Sequence, residues 1–232
     1  MKKDWNFPKA ILFDLDGVLI DSEPLHGKAW KETAALFNLN LSYRQIKLLR
    51  GRRRIDCANE LVKLISKTVK TEDVLKIHKP ISKKLMLTAQ AMPGSESLIQ
   101  MCNQNKIPMA LVTSSSSESL RVKTGHHKWM NLFSIRVLGD DKLLAKGKPA
   151  PDPYLLAAEK LNIAPQDCWA VEDSYAGVSS ALNAGCFVLF LKVENESIQG
   201  KDCFEKQNNF KEINHLKEIE HMLHQFQTNK AC

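Results

Sequence analysis

The sequence predicts an α/β protein: a parallel-sheet core interrupted, after its first strand, by an all-helical insertion. Three observations predict it. Short unbroken apolar runs occur at 10–13, 109–112, 168–171 and 187–191, the pattern of strands buried on both faces. Helix-like stretches lie near 95–104, 117–125, 153–161 and 175–183, so strand and helix alternate as they do around a parallel sheet. The first run is separated from the second by nearly a hundred residues, much of which reads as helices, at about 24–37, 42–49, 56–67 and 72–89, with few strand-like runs. Pro93-Gly94 punctuates the return to the sheet. The expected division is a core of 1–20 and 91–232 around an insertion of 21–90.

Composition sets the outer limits. The 232 residues are 44% hydrophobic and 25% charged, which excludes a disordered, collagen-like or low-complexity chain. Length allows one large domain or two small ones. The formal charge of +7 describes partners and solubility rather than fold. No nucleic-acid-binding motif accompanies it, so no nucleic-acid partner is expected. Six cysteines, at 57, 102, 168, 186, 203 and 232, form no C-x-x-C pair. Free thiols in a reducing cytoplasm are the expectation, not a zinc site or a disulfide scaffold. The charged segment Met1–Pro8 does not read as a signal peptide. No apolar run approaches the roughly 20 residues of a membrane span, so no membrane partner is expected.

The first run delivers the chain to Asp14-Leu-Asp-Gly-Val18. Two carboxylates at the end of a buried strand are costly unless neutralised, and hard oxygen ligands suit magnesium. Gly17 permits a sharp exit from the strand. The second run ends at Thr113, followed by Ser114 through Ser117. Hydroxyls beside a helix N-terminus make either an anion site or an ordinary cap. Lys148-Pro-Ala-Pro-Asp-Pro153 comes next; its prolines fix the lysine's approach, and Asp152 is expected to cap a helix that Pro153 begins. The third run ends at Glu172-Asp173-Ser174, two further acids at a strand end. The tail from about 211 to 226, with Ile213, Leu216, Ile219, Met222, Leu223 and Phe226, is expected to be a closing amphipathic helix. The carboxyl edge of an open parallel sheet is where ligands bind. Carboxylates, hydroxyls and a lysine gathered there can hold magnesium and a phosphate, with one carboxylate placed to attack phosphorus.

These clusters, with Gly177 and Ala184-Gly185 beyond them, resemble in order and spacing the four motifs of the haloacid dehalogenase-like phosphatases. The resemblance spans about 10–200 and implies a Rossmann-like parallel-sheet core with an inserted all-helical cap domain. Asp21-Ser-Glu-Pro-Leu-His26 is similar to the subgroup holding β-phosphoglucomutase and phosphoglycolate phosphatase. By that resemblance Asp14 is the expected nucleophile and Asp16 the acid and base. Thr113, Ser114 and Ser115 are expected to bind the phosphoryl group, and Lys148 to offset charge. Asp14, Asp16 (through its carbonyl), Glu172 and Asp173 are the expected ligands of Mg2+. The second acid, Asp16, is what the phosphatases have and the dehalogenases lack.

Specificity is expected in the insertion, where Leu49-Arg-Gly-Arg-Arg-Arg-Ile55 packs cations densely. Arginine suits phosphate. The resemblance puts Arg54 where a mutase arginine holds a second phosphate and His26 at the hinge; Gly51 and Arg52 complete the expected substrate set. The mutase carries a lysine and an asparagine after its second motif, where this chain has Ser116 and Ser117. The expected activity is therefore hydrolysis of a sugar phosphate or bisphosphate, with a sugar phosphate mutase second and a non-catalytic binding protein third. A small phosphorylated molecule is the expected partner of a monomer or weak dimer.

Overall fold

The computed structural model describes residues 6–50, 52–65, 69–192, 204 and 207–229. The chain runs through β1 (Ala10–Phe13) and the short β2 (Ile20–Asp21) into α1 (Glu23–Ala35), α2 (Tyr43–Leu49), α3 (Arg54–Ile65) and α4 (Thr71–Met86). It returns by β3 (Gln90–Ala91), which pairs antiparallel with β2, so the insertion joins the sheet through a two-stranded hinge. Then follow α5 (Ser95–Gln104), β4 (Met109–Val112), α6 (Ser117–Thr124), β5 (Ile135–Val137), α7 (Asp152–Leu161) and β6 (Cys168–Glu172). Last come α8 (Tyr175–Asn183), β7 (Phe187–Leu191), β8 (Phe210–Ile213) and a final helix α9 (Lys217–Asn229).

Among the described residues the main sheet has six strands in the order β5-β4-β1-β6-β7-β8. Every neighbouring pair is parallel. This is the Rossmann-like core with an inserted helical cap that the motifs imply. Side chains alternate across the sheet: Ile11 and Phe13 enter a layer with Leu98, Trp129 and Leu223. Ala10 and Leu12 enter the opposite layer with Tyr154, Val178 and Phe210. Each fully buried Ile, Leu, Val or Phe side chain among them contributes about 1.5–3 kcal/mol. The insertion has its own apolar cluster, with Trp30, Ala34, Leu49, Ala58, Leu61 and Val74 at its centre. Pro24 opens α1, and a capping box between Ser42 and Gln45 starts α2.

Two local expectations are corrected. The tail is not one helix from 211: Phe210–Ile213 adds to the sheet edge as β8, pairing with Val188–Leu191, and the helix begins at Lys217. Ile213 is three residues before Leu216, so it matched a helical stripe while its burial is that of a strand residue. Asp152 does not cap α7; it is the first helical residue, Pro151 holds the cap position, and the Asp152 carboxylate accepts the Lys146 backbone N–H at 3.1 Å. Strand β5 is only three residues long, too short for periodicity to reveal.

Candidate active site

Strands β4 and β6 flank β1 on opposite sides, which opens a crevice at the carboxyl ends of all three. Asp14 leaves β1, Thr113 leaves β4, Glu172 closes β6 and Asp173 follows it. Gly17 turns the chain at φ 82°, where a Cβ would stand 2.0 Å from Asp173 Oδ2. That position admits only glycine, on both conformational and steric grounds.

Asp14, Glu172 and Asp173 are buried, and one ligand atom of each lies within 4.8 Å of the others. Lys148 is sunk among them: its ammonium donates to Asp14 Oδ1 at 2.8 Å, Glu172 Oε1 at 2.5 Å and the Val112 carbonyl at 3.0 Å. Tyr154 from α7 also donates to Glu172 Oε1 at 2.5 Å, and Ser174 to Oε2 at 3.3 Å. Burial pushes the Asp14 carboxyl up to about 7 despite Lys148, and Glu172 and Asp16 add repulsion. Burial likewise raises Glu172 and Asp173, against Lys148 and Arg50 respectively. A set of crowded carboxylates that resists full ionisation suits a divalent cation with hard oxygen preferences.

The insertion contributes one cation directly to this cluster. Arg50, at the end of α2, sets Nη2 2.6 Å from Asp173 Oδ2 and Nε 2.8 Å from Glu23 Oε2. Glu23 is itself raised to about 7, by burial that the Arg50 guanidinium only partly offsets. Arg50 was one of four arginines in the sequence cluster and was not singled out for the site; only its reach across the hinge distinguishes it.

Asp16 points away from the three-carboxylate cluster. Its carboxylate accepts from Ser115 Oγ at 2.9 Å, from Ser22 Oγ and from Lys123 Nζ, with His26 Nε2 at 3.1 Å. Burial opposes its charge, but Lys123 and His26 outweigh that and hold the carboxyl well below its usual range. Lys123 is fully buried and spends a further donor on Ser115 Oγ at 2.7 Å. Sequence reasoning missed it. The signal was there: with Ser119 and Leu120 it falls on the buried face of α6. A lysine at a core-facing position implies a buried anion to meet it.

Of the other expected residues, Thr113 is buried and accepts the Ser115 backbone N–H at 3.0 Å. Ser116 caps α6, accepting from the Ser119 N–H at 3.3 Å. Ser114, Ser115 and His26 line, with Arg52 and Arg54, a cavity of about 580 Å³ between insertion and core, and Asp14 and Asp16 lie on its floor. Arg52 stands 3.8 Å from Glu60 and Arg53 donates to Asp56 at 2.9 Å. Arg54 has no ion pair among the described residues. Gly51 lies outside the described residues. Cys57, Cys102, Cys168 and Cys186 are buried free thiols, and no described helix is long and apolar enough to cross a membrane.

A buried carboxylate paired with a lysine, an acid cluster able to hold a cation and a second carboxylate on the same cavity are groups that phosphoryl transfer can use. Comparison with known proteins agrees. A probable pseudouridine-5'-phosphatase of Drosophila melanogaster is 32% identical over 184 residues, 78% of this chain and 80% of that one. Hexitol phosphatase A of Escherichia coli is 35% identical over 194 residues, 78% of this chain and 82% of that one. The fold matches the crystal structure of β-phosphoglucomutase from Clostridium difficile with a TM-score of 0.75 at 20% identity, covering 96% of this chain and 100% of the other. Phosphatases and a phosphomutase thus surround the chain, and it is an enzyme of that kind. Residues 8–185 match the haloacid dehalogenase-like hydrolases, and the chain belongs to that family.

Proposed function

We propose that the protein is a Mg2+-dependent phosphatase that hydrolyses a small phosphorylated metabolite, a sugar or polyol phosphate, through an aspartyl-phosphate on Asp14. The observation that carries this reading is the pairing of two differently treated carboxylates on one cavity floor: Asp14 held among Lys148 and the acids, Asp16 turned aside to its own donors. Asp14, Glu172 and Asp173, with the Asp16 carbonyl, would hold the cation. When bound it would neutralise the carboxylates and the phosphoryl oxygens.

The remaining work falls to side chains. An Asp14 oxygen forms the bond to phosphorus as the bond from phosphorus to the ester oxygen breaks. Lys148 pairs with Asp14, offsetting part of the cost of its charge, and meets the charge on the transferring group. Thr113, Ser114 and Ser115 orient the phosphoryl oxygens. Asp16, which Lys123 and His26 hold ionised in this arrangement, turns from them and takes up a solvent proton, gives that proton to the departing oxygen, then takes one from the water that attacks the acyl-phosphate. The second step returns Asp14 and releases inorganic phosphate, so atoms and protons balance. Residues 21–90 act as the cap: they exclude bulk water and read the substrate's far end. The buried free thiols suit a reducing, cytoplasmic setting.

A sugar phosphate mutase is the second reading, favoured by one observation: Arg54 lines the cavity with no carboxylate within 4.0 Å among the described residues, Glu118 and Asp16 acting on it only at longer range, so the guanidinium can meet a second phosphate. The test is phosphate release across sugar monophosphates, sugar bisphosphates, polyol phosphates and phosphoglycolate, with Mg2+ or with a chelator. Release that needs Mg2+ and is lost in Asp14→Asn is expected. Interconversion of β-glucose 1-phosphate with a bisphosphate primer, without phosphate release, would replace hydrolysis by the mutase.

A further inference from the structure

The cavity has one wall that the phosphoryl chemistry does not use. His78, on α4, is 1% exposed and stacks on Trp30 of α1, ring centroids 3.6 Å apart and planes 9° from parallel. Its Nδ1 lies 3.0 Å from Thr33 Oγ1, and that hydroxyl donates its only proton to the Ala29 carbonyl at 2.7 Å. Thr33 therefore accepts from His78, and Nδ1 carries the proton. The ring's hydrogen-bond partners are Thr33 Oγ1 and the Ala29 carbonyl, which take the one ring N–H and leave Nε2 with its lone pair. His78, Trp30 and Arg54 all line the cavity that holds Asp14 and Asp16.

We propose that His78 Nε2 is a specificity-determining acceptor for a substrate hydroxyl, and that with Arg54 it selects a phosphomonoester bearing a polyhydroxylated tail. The inference rests on the phosphatase reading and names the substrate class for that site. A hydroxyl gives a proton and offers lone pairs; the imidazole lone pair takes the first and the Arg54 guanidinium meets the second. An anionic oxygen has no proton for Nε2 and would face its lone pair. Burial, reinforced by the Arg54 charge, holds His78 down at about 3, so the ring stays a neutral acceptor across the working range. Trp30 and Thr33 fix the ring's plane and tautomer, which makes the acceptor rigid rather than adaptable.

The test compares sorbitol 6-phosphate, which carries the hydroxyls, with p-nitrophenyl phosphate, which carries none, in wild type and His78→Phe. Phenylalanine keeps a ring against Trp30 and removes the acceptor. The ratio of the two kcat/KM values, polyol over aryl, is expected to fall roughly ten- to a hundredfold in the variant, the cost of an unmet hydrogen bond. Because the variant can also suffer in folding, a second readout keeps His78 in place. In 15N-histidine-labelled Asp14→Asn, saturation with sorbitol 6-phosphate should move the Nε2 resonance of His78 toward the hydrogen-bonded range, and inorganic phosphate should not. An unchanged ratio with an unmoved resonance overturns the inference. A moving resonance in a protein that hydrolyses neither compound upholds the hydroxyl subsite and overturns the phosphatase reading instead.

Discussion

The buried imidazole of His78 makes stability depend on pH in a calculable way. In the unfolded chain the group titrates near its ordinary 6.5; in the fold, burial and the neighbouring Arg54 charge bring it to about 3. Above 6.5 neither state is protonated and His78 has no effect on the balance. As pH falls below 6.5 the unfolded chain binds a proton that the folded chain refuses, so stability is lost. At 1.36 kcal/mol per unit, pH 5 lies one and a half units into that window and costs about 2 kcal/mol. The full span down to about 3 approaches 5 kcal/mol. Other groups pull the opposite way: Asp14 and Glu23, both raised to about 7, keep protons in the fold and gain stability as pH drops. The measurement must therefore be a difference. Urea unfolding at pH 7 and pH 5 is compared for wild type and His78→Phe, and wild type should lose about 2 kcal/mol more than the variant over that step. Equal losses in the two proteins would mean that His78 is protonated in the fold, and the argument for a neutral, buried acceptor would go with it.

Three further outcomes are expected. Lys123→Met strips a fully buried ammonium from Asp16; leaving that carboxylate with hydroxyls and His26 should cost about 3–5 kcal/mol of stability. It should also raise the Asp16 pKa, so the acid limb of the kcat profile moves to higher pH, which a pH–rate series would read directly. Gly177→Ala places a Cβ 2.0 Å from Glu172 Cδ and Oε2; the overpacking should cost about 1–3 kcal/mol in urea unfolding and lower metal-dependent activity by displacing Glu172. A chelator should abolish phosphate release, and added Mg2+ should restore it. Calorimetric Mg2+ binding should weaken in Asp173→Asn, and unaltered binding would remove Asp173 from the ligand set.

What the sequence alone determined was whatever is written locally. Apolar runs that stop at Asp14, Thr113 and Glu172 identify buried strands and, by the sharp change from apolar to charged, the sheet edge where chemistry collects. Glycine at 17 is announced by the turn that leaves the first strand at a positive backbone angle, whereas the Asp173 carboxylate that also excludes a Cβ there arrives only with the pairing of β1 and β6. The helical insertion was legible because almost a hundred residues with few strand-like runs and much helical pattern cannot fit between adjacent strands as a loop. Tertiary structure decided what depends on contacts between distant residues. Lys123 meets Asp16 across 107 residues and Arg50 meets Asp173 across 123; no periodicity encodes which buried cation finds which acid. Phe210–Ile213 became a strand because the sheet edge beside β7 was there to accept its hydrogen bonds, not because four residues could declare a period. His78 reads in sequence as one more polar residue on α4. Only the packing of α4 on α1 gives it Trp30, Thr33 and a place on the cavity wall. Specificity is set at such long-range contacts, because a cavity's shape and donors belong to the packed molecule rather than to any segment of it.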